Sequence, residues 1–302
     1  MKDKKKGFYM IIFFIFTILL ISIVSAGFWD KITGKAPQRP QDISINVVGI
    51  HPVVIEYIEA ISPKDPIENS ITTIVFEVRV RDPDGVSDIN DFSVRAEFSK
   101  IGETTKTNSC QWQKDIDSNT ANYSCSVGMQ YYDSAGTWNI KISATDFGSR
   151  ILIEDTSSFV YQELKAMTLS PASLTWPNII PGSINQTSDN DPAVITNTGN
   201  YNGEISVKAY DLTGETVPSE LIPSEKFSIG GISTGANEEC NPPSTATSMG
   251  TNGQTTSIAN TDSNPGPGPN NYEELYYCIP SFPLVSSQRY STSAGGSWYV
   301  LY

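Results

Sequence analysis

A single histidine, His51, and four cysteines are all that the chain offers toward imidazole or thiolate chemistry. No Cys-x-x-Cys pair occurs, so a zinc-type site lacks its usual framework. A serine nucleophile would have only His51 as its base, and His51 precedes Pro52 between two strand-like runs, where it reads as a turn residue. Paired carboxylates suffice for glycoside hydrolysis, but nothing singles out one pair among the acids. The expectation is a protein that is not an enzyme. Basic side chains are scarce too: 20 Lys+Arg stand against 33 Asp+Glu, and 16 against 32 once the first 26 residues are set aside. Such an acidic surface repels phosphate backbones, which excludes nucleic acid as a partner. After Gly27 no segment sustains helical amphipathicity over three turns, which excludes a helical body.

What is present begins with an export signal. Four lysines within the first six residues precede an uncharged, mostly apolar run from Phe8 to Val24, and Val24 and Ala26 occupy the small-residue positions of a cleavage site before Gly27. Residues 1–26 are therefore a signal peptide, or a membrane anchor through residues 8–24 if uncleaved, since a run of this length is at the short end of what spans a bilayer. A third alternative is that Lys5-Lys6-Gly7-Phe8 resembles the cleavage site of archaeal type IV pilin precursors, which retain the apolar helix in a filament. The lysines keep the N-terminus cytoplasmic in the first two cases, so the rest is extracellular or at the cell surface. No sorting motif or second apolar helix follows, so attachment is expected through the N-terminus or through partners.

Residues 27–42, with two prolines and no periodicity, read as a flexible tether. Alternating or β-branched runs follow: 43–50, 53–58, 71–80, 92–98, 123–129, 137–144, 151–153 and 158–164, then 167–169, 174–176, 193–197, 204–212, 226–229, 273–279 and 297–302. Phe76, Val78 and Val80 alternate with Val75, Glu77 and Arg79, giving one apolar and one polar-edged face. The fold class is all-β: two antiparallel β-sandwich domains, residues 43–164 and 165–302, which the resemblance given below makes immunoglobulin-like, after the N-terminal apolar helix. Within the second, about 231–271 is so rich in Ser, Thr, Asn, Gly and Pro that it is expected to be a disordered loop.

An even cysteine count in an exported chain reads as a disulfide framework, and four cysteines allow three connectivities. Cys110–Cys125 and Cys240–Cys278 keep each pair within one domain, the first tying neighbouring strands. Two sequons, Asn122-Tyr-Ser and Asn185-Gln-Thr, are possible glycosylation sites.

Three stretches carry a family resemblance. Val80-Arg-Asp-Pro-Asp-Gly-Val-Ser-Asp-Ile89 is similar to an acidic turn after a strand, Tyr131 to Asp146 (YYDSAGTWNIKISATD) to an aromatic-Gly-x-Trp strand ending in Ala-x-Asp, and Ile195-Thr-Asn-Thr-Gly-Asn200 to a turn joining two strands. Together they resemble the extracellular immunoglobulin-like modules of prokaryotic surface proteins, archaeal ones above all. The resemblance implies a secreted or cell-surface spacer or adhesion protein whose partners are other cell-envelope proteins or surface glycans. Tyr123, two residues before Cys125, resembles the tyrosine corner of such domains. Independently, Trp138, Ile140, Ile142 and Ala144 share one strand face and are expected in the core.

No cofactor is required, with calcium as the one candidate: Asp82, Asp84 and Asp88 offer carboxylate oxygens around the Asp-Pro-Asp-Gly turn. The alternative is a capped turn, because the twelfth residue from Asp82 is Ser93 where an EF-hand loop has Glu. Aromatics at Tyr272, Tyr276, Tyr277, Tyr290, Trp298, Tyr299 and Tyr302 support the alternative function of a carbohydrate-binding module. Alternation places Trp298 and Val300 opposite Tyr299 and Leu301, as in a closing strand covered on both faces.

Overall fold

The computed structural model describes residues 41–45, 50–176, 178–231, 246–268 and 271–302. The signal or anchor at 1–26, nearly all of the tether at 27–42 and Cys240 lie outside the described residues, as does 46–49 of the first expected strand, whose residues 43–45 are not in a strand. Among the described residues no helix is long and apolar enough to cross a membrane.

The first half is built from eight strands: β1 (Val54–Ile58), β2 (Ile71–Arg81), β3 (Arg95–Ser99), β4 (Lys106–Ser109), β5 (Gln111–Asp115), β6 (Thr120–Gln130), β7 (Gly136–Thr145) and β8 (Ile151–Tyr161). They form two antiparallel four-stranded sheets, β1-β2-β6-β5 and β4-β3-β7-β8. Along β2 every second residue from Thr72 to Val80 is buried while Val75, Glu77 and Arg79 face solvent, so the period of two set by the pleat decides which face is core. The register runs unbroken from Ile71 opposite Gln130 to Arg81 opposite Thr120. The sheets meet through Phe76 of β2 and Phe98 of β3, ring centroids 5.8 Å apart, and Phe98 lies 4.8 Å from Phe159 of β8. Trp138, Ile140, Ile142 and Ala144 are fully buried, as the alternation requires, and Trp138 Nε1 donates to the Ser134 carbonyl at 3.0 Å.

Cys110 occupies the single residue between β4 and β5, where the chain leaves one sheet for the other, and is bonded to Cys125 of β6. The adjacent pair Gln111 and Ser124 face each other across β5 and β6, so the bridge extends a ladder between neighbouring strands. Tyr123 is buried beside it, but its hydroxyl donates to the Asp91 carboxylate at 2.5 Å, whereas the tyrosine-corner likeness implied a backbone acceptor.

The second half contains β9 (Met167–Ser170), β10 (Ile184–Thr187), β11 (Ala193–Asn197), β12 (Glu204–Lys208), β13 (Leu212–Gly214), β14 (Leu221–Ile222), β15 (Ser228–Gly231), β16 (Thr247–Ser248), β17 (Thr255–Asp262), β18 (Tyr272–Ser281), β19 (Tyr290–Ser291) and β20 (Tyr299–Leu301). A six-stranded sheet, β16-β15-β18-β11-β9 with β10 also on β18, shares a core with two three-stranded sheets, β17-β12-β20 and β14-β13-β19. This half is thus β-sandwich-like, with three sheets where two were expected.

Two expectations are corrected here. The segment 231–271 is not a disordered loop throughout: β16 and β17 lie inside it, β17 pairs with β12, and Met249 and Ile258 are core residues. Polar composition concealed this, because a strand of Thr, Ser and Asn is satisfied by ladder hydrogen bonds and needs only a few apolar anchors. Residues 232–245 and 269–270 lie outside the described residues. The last strand is covered on one face only, for Tyr299 is 51% exposed and Leu301 37%.

The halves have separate cores, yet Val48–Tyr302 forms one compact unit. The turn Asn197-Thr198-Gly199-Asn200 lies at the joint between them. The Asn200 side chain accepts from Leu164 N at 2.7 Å and donates to the carbonyls of Gln162 and Asp133 at 2.9 and 3.0 Å. Asn69 N donates to Thr198 O at 3.1 Å, and the Thr198 hydroxyl to Glu68 at 2.6 Å. Gly199 packs so tightly on the connecting chain that a Cβ would sit 2.1 Å from Leu164 O.

Replacing Cys110 and Cys125 together with Ala is expected to lower the unfolding free energy of the first half by about 3 kcal/mol, the chain entropy released when a loop of this length opens. Urea unfolding followed by tryptophan fluorescence measures it; an unchanged midpoint would show that the bridge contributes no constraint.

Candidate functional site

The acidic turn sits at one end of the first half, where β2 and β7 both finish. Gly85 N donates to Asp82 O at 3.1 Å, closing a turn whose Gly85 adopts φ +117°, a backbone conformation that side chains disfavour. Asp84 N donates to Asp82 Oδ1 at 2.8 Å. The Asn119 side-chain amide holds the turn from below by donating to the carbonyls of Asp82 and Pro83 at 2.9 and 3.0 Å. From the other sheet, Asp146 follows β7 and is brought alongside by an isolated bridge between Ile89 and Asp146, with Phe147 N donating to Asp88 O at 2.9 Å.

Asp82, Asp88 and Asp146 thereby converge, with one oxygen of each within 4.8 Å of the others and the residues 0%, 8% and 1% exposed. Asp84 is not a member. Its carboxylate turns outward to His51, accepting from His51 N at 2.7 Å and lying 3.0 Å from His51 Nδ1. The expected trio of Asp82, Asp84 and Asp88 is corrected accordingly: the turn that points Asp82 inward sends its neighbour but one to solvent. Asp146 takes its place, a residue read from sequence only as the end of a strand.

Electrostatics make the cluster costly. Like charges about 5 Å apart repel by about 3 kcal/mol per pair at an effective dielectric near 20. Arg150 offsets part of this, its Nη1 lying 3.1 Å from Asp146 Oδ2 while its backbone N–H donates to Asp146 Oδ1 at 2.8 Å. Burial pushes the Asp82 carboxyl above the usual range, opposed by the Asp84 N–H and reinforced by Asp88, Asp84 and Asp146. Asp82 Oδ2 is buried with no hydrogen-bond partner. The Asp84 carboxyl is held below its ordinary value, first by the His51 N–H and then by the His51 ring. The three inward carboxylates are the oxygen donors that could hold a divalent cation.

The second half carries a groove of about 1070 Å³ whose walls include Trp176, Phe227, Tyr277 and Trp298. Phe227 meets Trp176 and Trp298 edge to face at 5.4 and 4.9 Å. Trp298 Nε1 donates to Tyr210 O at 2.7 Å, whereas Trp176 Nε1 is buried without a partner. At the rim, Tyr290 and Gln288 donate to Glu220 Oε2 at 2.6 and 3.0 Å, and Ser286 joins them. These donors hold Glu220 down at about 2. Of the expected aromatics, Tyr277, Tyr290, Trp298 and Tyr299 line this groove; Tyr302 instead pairs with Ser263, and Tyr276 donates to Glu274.

The remaining candidates are dispersed. Asn122 is 4% exposed in β6, at the edge of a shallow polar pocket lined by Glu77, Arg79, Lys114 and Asp115, so its sequon is closed in the folded protein. Asn185 is exposed on β10 at φ +53°. Cys278 is a buried free cysteine in β18, where a bridge to Cys240 was expected; Cys240 lies outside the described residues. Compared with known proteins, the chain matches no protein-family model and no curated sequence.

Asp191, under β18, provides a pH test. Its Oδ2 accepts from Tyr277 N at 3.2 Å, its Oδ1 is buried without a partner, and burial pushes the carboxyl up to about 7. A raised acid favours the protonated native state, so its contribution is full below the unfolded value near 4 and is lost as pH rises toward 7. Thermal unfolding between pH 4 and 7 is expected to show this decline in the wild type and to lose it in Asp191→Asn; equal slopes would refute the assignment.

Proposed function

We propose that the chain is a non-catalytic structural or adhesive protein, exported and displayed outside the cell or on its surface, built of immunoglobulin-like modules. The observation that carries this reading is the joint at Asn197–Asn200. Two rigid β-bodies linked by a flexible connector would move independently, whereas here Asn200, a buried residue of the second half, is bonded to backbone of the first half and of the connecting segment. A protein that spans or presents benefits from such a fixed angle, because a free hinge would forfeit reach and orientation. The strand orders of the first half support the module type: naming its strands A, B, C, C′, D, E, F and G in turn gives sheets A-B-E-D and C′-C-F-G, the immunoglobulin arrangement. The Cys110–Cys125 bridge fits an oxidising compartment, and other envelope proteins or surface glycans are the partners proposed.

A carbohydrate-binding module is the second reading, favoured by the groove with Trp176 and Trp298 and its Gln288, Arg289 and Tyr290 rim, since sugars stack on indoles and bond to amides. Membrane attachment through 8–24, if that segment is retained, is compatible with either.

Protease treatment of intact host cells tests display: peptides from 50–302 are expected to be released while a cytoplasmic marker stays whole, and full protection would overturn the surface reading. The joint has its own test. Asn200→Ala removes the three hydrogen bonds of its side chain, at about 1 kcal/mol each. Limited proteolysis is expected to cut near Gln162–Ala166 far faster than in the wild type, with a broadened intraparticle distance distribution in small-angle scattering; an unchanged cleavage rate would mean that the angle is set elsewhere.

A further inference from the structure

We propose that Asp82, Asp88 and Asp146 form a calcium site that fastens the two sheets of the first half together at the end where β2 and β7 terminate. Burial is the first ground: three aspartates at most 8% exposed bring carboxylate oxygens within 4.8 Å of one another, and the Arg150 guanidinium pairs with Asp146 at 3.1 Å, one positive charge among three acids. Their mutual repulsion has two remedies, a proton or a cation. A shared proton would be expected to leave the inward oxygens hydrogen-bonded to each other, yet Asp82 Oδ2 is wholly buried with no hydrogen-bond partner. The other oxygen of Asp82, Oδ1, accepts from Asp84 N at 2.8 Å, so the residue is held in place with one acceptor left over.

Ligand chemistry selects the ion. All donors are hard oxygens, with no imidazole or thiolate in the cluster, which disfavours zinc and copper. Magnesium demands a near-ideal octahedron and keeps most of its waters, which suits an open site better than a buried corner. Calcium accepts irregular oxygen cages at 2.3–2.6 Å. Asp82 follows the last residue of β2 in one sheet, Asp146 follows the last residue of β7 in the other, and Asp88 lies in the segment that crosses from β2 to β3, so an ion here is a clamp between sheets. Its occupancy does not depend on which surface role the chain performs.

The purified full chain, stripped of divalent ions with a chelating resin, is titrated with CaCl2 or MgCl2 in a calorimeter and by thermal unfolding. One calcium per chain is expected. The unfolding midpoint of the first half should rise by about 10 °C at a hundred-fold excess over Kd, with magnesium giving at most a small fraction of the shift. Asp82→Asn keeps the Oδ1 acceptor for Asp84 N but removes charge. It should be as stable as the stripped wild type or more so, and bind calcium at least ten-fold more weakly. Asp84→Asn should bind as the wild type does. Should Asp82→Asn fail to fold, Asp88→Asn carries the same expectation, and equilibrium dialysis of the wild type gives the stoichiometry directly. No stabilisation at 10 mM calcium, equal response to magnesium, or calcium affinity lost in Asp84→Asn while the inward variants retain it would each overturn the proposal.

Discussion

The amide of Asn200 is the interaction on which the arrangement of this protein turns. An asparagine can offer two donors and one acceptor oxygen, and here each is matched to backbone of the connecting segment or of the first half. Backbone groups in a connection between two β-bodies have no ladder to join, and burying them unpaired would cost more than the contact returns. One side chain solves that accounting for Gln162, Leu164 and Asp133 at once. Gly199 lets the turn approach closely enough for it to do so, and Asn197 braces the turn from its other side, donating to Tyr201 O and Ser263 O.

A second polar device works at the far end of the first half. There the chain tolerates three inward acids because the elements presenting them are over-determined by hydrogen bonds: the Asp82 turn by Asn119 and by its own Gly85, the Asp146 turn by Arg150 and by Phe147 on Asp88. Repulsion cannot relax by moving the acids apart without breaking those bonds. Asp133, by contrast, is a buried acid with a cationic partner, Lys106 at 2.7 Å, a contact between β4 and the loop leading to β7.

Legibility in the sequence followed burial. Strands with one dry face, β2 and β7 above all, announced themselves by alternation, and their inward residues are the core that alternation demands. β4 and β5 did not, because Gln111 to Asp115 is exposed along its whole length and carries no apolar period to read. β17 was hidden for the converse reason, its few buried apolar residues diluted by polar ones that the ladder satisfies. At the acidic site the local partners Asp82 and Asp88 were visible through one turn. Asp146, 64 positions beyond Asp82 in the sequence and brought in by a single bridge across the sandwich end, could be placed only by tertiary pairing. The same holds for the joint, where Asn-Thr-Gly-Asn was read as a strand turn and its second role toward the first half has no local signature.

The burial of Asn122 in β6 carries a consequence for the order of events in the protein's maturation. Asn122 pairs with Arg79 in the ladder between β2 and β6, the longest among the described residues, and its amide is walled in by β2 and β5. A sugar transferred there before β6 is zipped would have to be accommodated where strands need to close, whereas after closure the transferase finds only Asn185 exposed. In a glycosylating host, folding and modification are therefore competitors for one residue, and pairing of β6 with β2 withdraws Asn122 from the transferase.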